Sequence, residues 1–377
     1  MMLTTIQTRL GICLFLFSLV IPAFGAEVSY WNFNEGGGSV ATDSIGGFNG
    51  ALMGSANFYS DAPPIVGGGS SIYNPNDNIS HVRVSDVNTT LGSLAFWINS
   101  DYDVTNTSYD TARVLMQFNG TGTSGTTVLS MGKCTSANSG LPMMLLRDGS
   151  DPNSWSMLQN VTIPKFTWKH VAFIWNQNLL QYDLYLDGIN QGANWVTRAG
   201  SPVYHHCRQF HVGPFSIGGY YNQSNNWPGL IDEVHLYNHS ISASELAALI
   251  PGKAVYNLTV SSSVAEVNTI TPATGTYSYV SGNTATLNAA DMIKCPKKFI
   301  FDHWVIDGVI ITTPSANVIM DKNVVATAYF NDTRVCGDEC HPVPVNDLSS
   351  PPDCMVNFED VAILADNWLS CTQPGCI

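Results

Sequence analysis

The residues able to do chemistry are unevenly spread along this chain. Sugar hydrolysis needs two carboxylates held about 5–9 Å apart, which on a strand means acidic residues at alternating positions. No such cluster occurs. Asp232 and Glu233 are adjacent, so on a regular strand they face opposite ways. The Gly-x-Ser-x-Gly elbow of a serine nucleophile is absent as well. His205, His206, Cys207 and His211 are zinc-ligand types, but neighbours on a strand diverge, so at most part of the set converges. Aromatic side chains offer more. Trp155, Trp195, Tyr204, Tyr220, Tyr221 and Trp227 lie near turns rich in Asn, Gln and Ser. A ring can cover the C–H face of a sugar while polar neighbours bond its hydroxyls. These six are the candidate ligand residues.

Oxygen donors form two further groups. Asp43, Gly46 and Asn49 in an early turn, with Asp232 far along the chain, supply the carboxylate, carbonyl and amide oxygens that calcium takes; Glu35 lies close enough in sequence to add another. The plain alternative is that Asp43 and its neighbours only form the turn. Near the C-terminus, counting back from Asp360 puts Asn357, the Met355 carbonyl and Asp353 in register with an EF-hand loop. Asp347 fits only if residues 350–352 bulge out by two, and Cys354 takes the position glycine usually holds. A disulfide-stapled module without metal is the competing reading.

The elements that must position these groups are strands. Gly229 to Tyr237 alternates imperfectly, and Ser242-Ala-Ser-Glu245 after it reads as a capping box opening a helical turn. This ending resembles the close of the LamG-like jelly-roll family, the concanavalin A-like lectin sandwiches. Tyr30-Trp-Asn-Phe-Asn-Glu35 with Gly36-Gly-Gly, Asp43-Ser44 and Asn49-Gly50 resembles its first strand and first long turn. The resemblance implies an all-β, two-sheet jelly-roll sandwich over residues 26–252. It also implies that the two terminal strands are neighbours, joined by a structural calcium through Asp43, Gly46, Asn49 and Asp232. Ser93 to Asn99 alternates cleanly, which places Leu94, Phe96 and Ile98 on one face and Trp97 on the other, and Trp168 to Trp175 reads as a second strand. Asp187-Gly188 reads as a two-residue hairpin turn, since both positions tolerate positive φ.

Residues 253–333 read as a small β-rich domain. Leu258 to Val260, Phe301 to Trp304 and Met320 to Phe330 resemble the internalin-type B-repeat, with Trp304 in its core. Residues 334–377 end in a helix-forming run and resemble a Cys-framed dockerin module of the planctomycete type. About 43 residues bury too little surface to stand without staples.

Composition sets the outer limits. The 377 residues carry a formal charge of −14, and only 12% are charged, which argues against nucleic acid and anionic membrane as partners. Residues 1–25 have the basic start, apolar core and small-residue end of a secretion signal, and no later segment is long and apolar enough to span a bilayer. Beyond Cys13 inside that signal, eight cysteines remain: Cys134, Cys207, Cys295, Cys336, Cys340, Cys354, Cys371 and Cys376. An even count in an oxidising compartment predicts disulfides, with Cys134–Cys207 one possible pair. The sequence therefore predicts a secreted or cell-surface, non-catalytic protein. Its sandwich would bind a polysaccharide or surface glycan and its tail would dock a protein partner. An adhesive protein with protein partners and a hydrolase with an atypical site are the alternatives.

Overall fold

The structure is a computed structural model. It describes residues 25–65, 69–77, 79–87, 89–101, 113–118, 127–133, 142–147, 155–159, 163–176, 181–191, 195–196, 211–219, 226–294, 297–332 and 356–369, with Pro344, Asn346 and Leu348. All nine cysteines, and so every expected disulfide, lie outside the described residues.

Among the described residues, two antiparallel sheets form the jelly-roll sandwich. One runs Ile189–Asn190, Gln181–Leu186, Trp168–Asn176, Ser93–Ser100, Gly229–Tyr237, Ser71–Asn74 and Asn57–Tyr59. The opening strand Glu27–Trp31 pairs antiparallel with the closing strand Gly229–Tyr237, matching Tyr30 with His235 and Trp31 with Val234. The terminal strands are neighbours, as expected. The other sheet runs Trp195–Val196, Trp155–Gln159, Pro142–Arg147, Thr127–Lys133, Arg113–Phe118, Phe215–Ile217, His81–Val84, Gly50–Met53 and Val40–Ala41.

Alternation sorts the side chains. Leu94, Phe96 and Ile98 join Trp31, Phe118, Phe215, Ile231 and Leu236 in the core between the sheets. Ala95 and Trp97 face the other way and pack with Ala172 and Tyr237 against the short helix Ala243–Ala248, through Ile241, Leu246 and Ile250. Hence Ser93–Ser100 is buried at every position, on both faces. The helix starts as predicted. Ser242 Oγ accepts the Glu245 N–H at 3.2 Å, and the Glu245 carboxylate accepts the Ser242 N–H at 2.7 Å. Asp187 and Gly188 take φ of 48° and 76°, the paired left-handed conformation of a tight hairpin turn.

A second core lies in residues 258–330, built on Leu258, Leu287, Trp304, Met320 and Ala328, with Trp304 fully buried. Its sheet contains a parallel pair, Leu258–Ser262 beside Val324–Ala328. The two cores meet at the polar side chain of Asn283 and in the helix-side apolar cluster. Asn283, 6% exposed, accepts the Asn190 N–H at 2.9 Å and donates to the Gly188 carbonyl at 2.8 Å. Val280 packs beside it in the helix-side cluster. Asn283→Ala strips two backbone groups of the hairpin turn of their partner, at about 1–3 kcal/mol. Calorimetry should then resolve the second domain as a separate, earlier transition; one unchanged transition would contradict this account of the junction.

Candidate functional site

The seam between opening and closing strands gathers five ionisable groups, Glu27, Tyr30, Asp232, Glu233 and His235. The closing strand is not regular. Ile231 and Val234 both sit in the core although they are three residues apart, because a β-bulge interrupts the pairing between Asp232 and His235. Glu233 is the bulged residue, at φ 51°. The bulge overrides the rule that neighbours diverge, and Asp232, Glu233 and His235 are all buried.

Each answers for its burial differently. The Glu233 carboxylate accepts the Tyr30 hydroxyl at 2.5 Å and lies 3.7 Å from His235 Nε2. His235 Nδ1 lies 2.5 Å from the Glu27 carboxylate, and its ring stacks on Tyr30 at 4.3 Å. Burial opposes a charge on His235, but the flanking Glu233 and Glu27 carboxylates outweigh it and raise its pKa. Burial, then the bond to Glu233, raises that of Tyr30. Four groups thus stitch the two ends of the sandwich together. Glu233 and His235 are 7% and 8% exposed.

Asp232 is different. Oδ1 accepts the Glu233 N–H at 2.8 Å, while buried Oδ2 has no hydrogen-bond partner. Burial, then the neighbouring charge of Glu233 and that of Glu35, pushes its pKa up to about 9. Glu35 Oε1 accepts the Thr42 N–H, and its buried Oε2 is likewise unpartnered. Two orphaned carboxylate oxygens within electrostatic reach of each other fit a divalent cation.

Asp43 is used otherwise. Its Oδ1 accepts the N–H groups of Tyr30, Ile45 and Gly46, and its Oδ2 that of Phe48, at 2.9–3.0 Å. Asn49 Oδ1 accepts the Asp43 N–H at 2.9 Å. These oxygens serve the turn's own amides, which is the turn-former alternative. Among the described residues no group of three or more His, Cys, Asp or Glu is arranged around a metal.

The tail follows the same logic. Asp360 is buried, and its two oxygens accept the N–H groups of Leu348 and Asn357. The Asn357 side chain accepts the Glu359 N–H at 2.6 Å, which makes it the N-cap of helix Phe358–Leu369. Both therefore act as helix caps. Asp347 and Asp353 lie outside the described residues.

Of the aromatic candidates, Trp227 needs correction. It is 0% exposed and belongs to the inter-sheet core, so it presents no face to a ligand. Its polar neighbours in sequence concealed this, because the strand it precedes turns straight into the sandwich. Trp155 and Trp195 each begin a strand, opposite Arg147 and Leu158. Backbone register puts Trp155, Arg147, Val128, Gln117, Ser216 and Arg83 in one line across the sheet. Tyr204, Tyr220 and Tyr221 lie outside the described residues, as do Gly-rich residues 66–68.

Residues 67–247 match the family model of the Concanavalin A-like lectin/glucanases superfamily. That stretch is a concanavalin A-like lectin/glucanase domain. The match starts after residues 27–66, yet these supply strands to both sheets. No curated protein matches the sequence. Solved structures with a related architecture include domain 4 of AbnA, a GH43 extracellular arabinanase from Geobacillus stearothermophilus, in complex with arabinotriose. It is 17% identical, covers 60% of this chain and 98% of its own, and has a TM-score of 0.41. A SAP-like pentraxin from Limulus polyphemus is 12% identical, covering 46% and 76%, at 0.32. The Ruminococcus gnavus IT-sialidase CBM40 bound to alpha2,3 sialyllactose is 17% identical, covering 43% and 83%, at 0.29. Among the described residues no helix is long and apolar enough to cross a membrane.

The buried groups fix how stability follows pH. Fully buried, His170 has no hydrogen-bond partner for either ring nitrogen, and desolvation lowers its pKa to about 3. The unfolded chain binds that proton first, so stability falls as pH drops from about 6.5 toward 3. Asp232, raised, keeps a proton the unfolded chain has lost, so its contribution falls as pH rises from about 4 to 9. His235, also raised, contributes fully at low pH and loses this as pH rises through its folded value. Between about pH 4 and 6.5 the first two effects cancel. Melting in chelator should show a plateau there and decline on the alkaline side. Asp232→Asn should flatten that decline; an unaltered alkaline limb would contradict the assignment.

Proposed function

We propose that this is an exported, non-catalytic glycan-binding protein whose jelly-roll domain recognises a polysaccharide or surface glycan. The observation that carries the reading is the lectin/glucanase match over the stretch that builds most of both sheets. The line across the second sheet supports it, since backbone register aligns Trp155, a residue type that can cover a sugar ring, with Arg147 and Arg83. The second domain serves as a B-repeat-like spacer. The Cys-rich tail serves as a dockerin-like module for a protein partner. Residues 1–25 direct the chain out of the cell.

The mature chain is expected to bind members of a glycan array. Trp155→Ala should weaken the best hit at least about tenfold without lowering the melting temperature. Silence on the array with retained adhesion to cells would favour the protein-partner alternative, and release of new reducing ends from a polysaccharide would favour a hydrolase.

Calcium belongs to this reading as a structural ion, held by Asp232 and Glu35. It would neutralise the two orphaned carboxylates and fasten residues 32–42 to the closing strand. Added calcium should raise the melting temperature at pH 8 and chelator should lower it. Glu35→Gln should remove most of that difference; equal melting with and without calcium in the unaltered protein would eliminate the ion.

A further inference from the structure

Where the sandwich meets the second domain, the contact is incomplete. An open cleft of about 570 Å³ lies beside the Asn283 junction, within the range of small-ligand sites. One wall is the edge of the sandwich, with Ile174, Asn176, Asp183 and Tyr185. The other is the second domain, with Ser278 and Tyr279. We propose that this cleft is a binding site for a neutral saccharide of one or two rings, formed only when both domains are present. It is separate from the sandwich sheet considered above and does not depend on it.

The lining chemistry selects the ligand. Each domain contributes one tyrosine, and each tyrosine is half-buried, as a ring that receives the C–H face of a sugar must be. Between the rings stand amide, hydroxyl and carboxylate groups, the donors and acceptors that sugar hydroxyls pair with. Asn176 Nδ2 donates to Asp183 Oδ2 at 3.1 Å, which holds that carboxylate in place at the wall. Burial first, then the charge of Asp183, raises the pKa of Tyr185, and the Tyr279 hydroxyl is near enough to add to it. Both phenols therefore stay protonated as donors. Among the described residues no Lys or Arg lines the cleft and one carboxylate does, so sulfated or uronic ligands meet repulsion without a counter-charge. Ile174, Ile189 and Leu246 supply an apolar floor. Asn283 ties the two walls together at one end, so the width of the cleft is fixed before any ligand arrives.

The experiment is calorimetric titration of the full mature chain with cellobiose, xylobiose and laminaribiose, and with digalacturonate as the anionic control. At least one neutral disaccharide should bind and digalacturonate should not. Tyr185→Ala, in the sandwich, and Tyr279→Ala, in the second domain, should each weaken binding at least about tenfold. Ser278→Trp, at an exposed lip position, should block the cleft without disturbing either core, and keeps the test valid if a tyrosine variant unfolds. Disaccharide binding that survives Ser278→Trp would overturn the cleft while leaving the glycan-binding reading intact. Silence with all three neutral sugars, alongside retained hits on the glycan array, would do the same. Loss of the array hits together with titratable binding in the cleft would instead remove the sheet as the glycan surface and keep the cleft.

Discussion

The closing strand Gly229–Tyr237 is the constraint on which the rest depends. It is buried along its whole length and pairs with three other strands: Glu27–Trp31, Ser93–Ser100 and Ser71–Asn74. A strand buried on both faces is ordinarily a run of apolar residues. This one carries Asp232, Glu233 and His235 at its centre. The bulge reconciles the conflict. It keeps Ile231, Val234 and Leu236 in the core and turns the polar residues towards the seam with the opening strand. Left-handed backbone at Glu233 is a local cost, offset by the contacts its carboxylate makes with Tyr30 and His235.

From that seam the division of labour among carboxylates follows. A carboxylate that can reach backbone amides accepts them, because unpaired N–H groups in a buried turn cost more than the turn gains. Asp43 takes four and Asp360 takes two, so both serve the fold. Asp232 and Glu35 each keep a buried oxygen that nothing satisfies. That unmet demand sets Asp232 and Glu35 apart from Asp43 and Asp360, whose oxygens the backbone satisfies.

The outer face of the first sheet has a different fate. Trp97, Ala95 and Tyr237 would leave an apolar patch if the sandwich ended there. The helix Ala243–Ala248 covers part of it, and Val255 and Val280 of the second domain pack at its edge. The linker is short, so the second domain docks beside the helix that precedes it. The junction is then polar at the hairpin turn and apolar at the helix, and the cleft opens where neither surface reaches the other.

Much of this was legible from residue order alone. Alternation assigned Leu94, Phe96 and Ile98 to one face and Trp97 to the other. The spacing of Ser242 and Glu245 gave the helix start, Asp187-Gly188 gave the turn, and Trp304 was assigned to a core. Each is a local rule with a period or an offset, and local backbone geometry obeys it whatever lies beyond. The bulge at Glu233 showed only as one flaw in the alternation, and its consequence for Asp232 could not be read. Trp227 was misplaced because polar neighbours in sequence say nothing of what packs over a ring. The orphaned oxygens of Asp232 and Glu35 and the latch at Asn283 join positions about ninety to two hundred residues apart. Such contacts are set by which surfaces meet when the sheets close, and only the folded chain decides that.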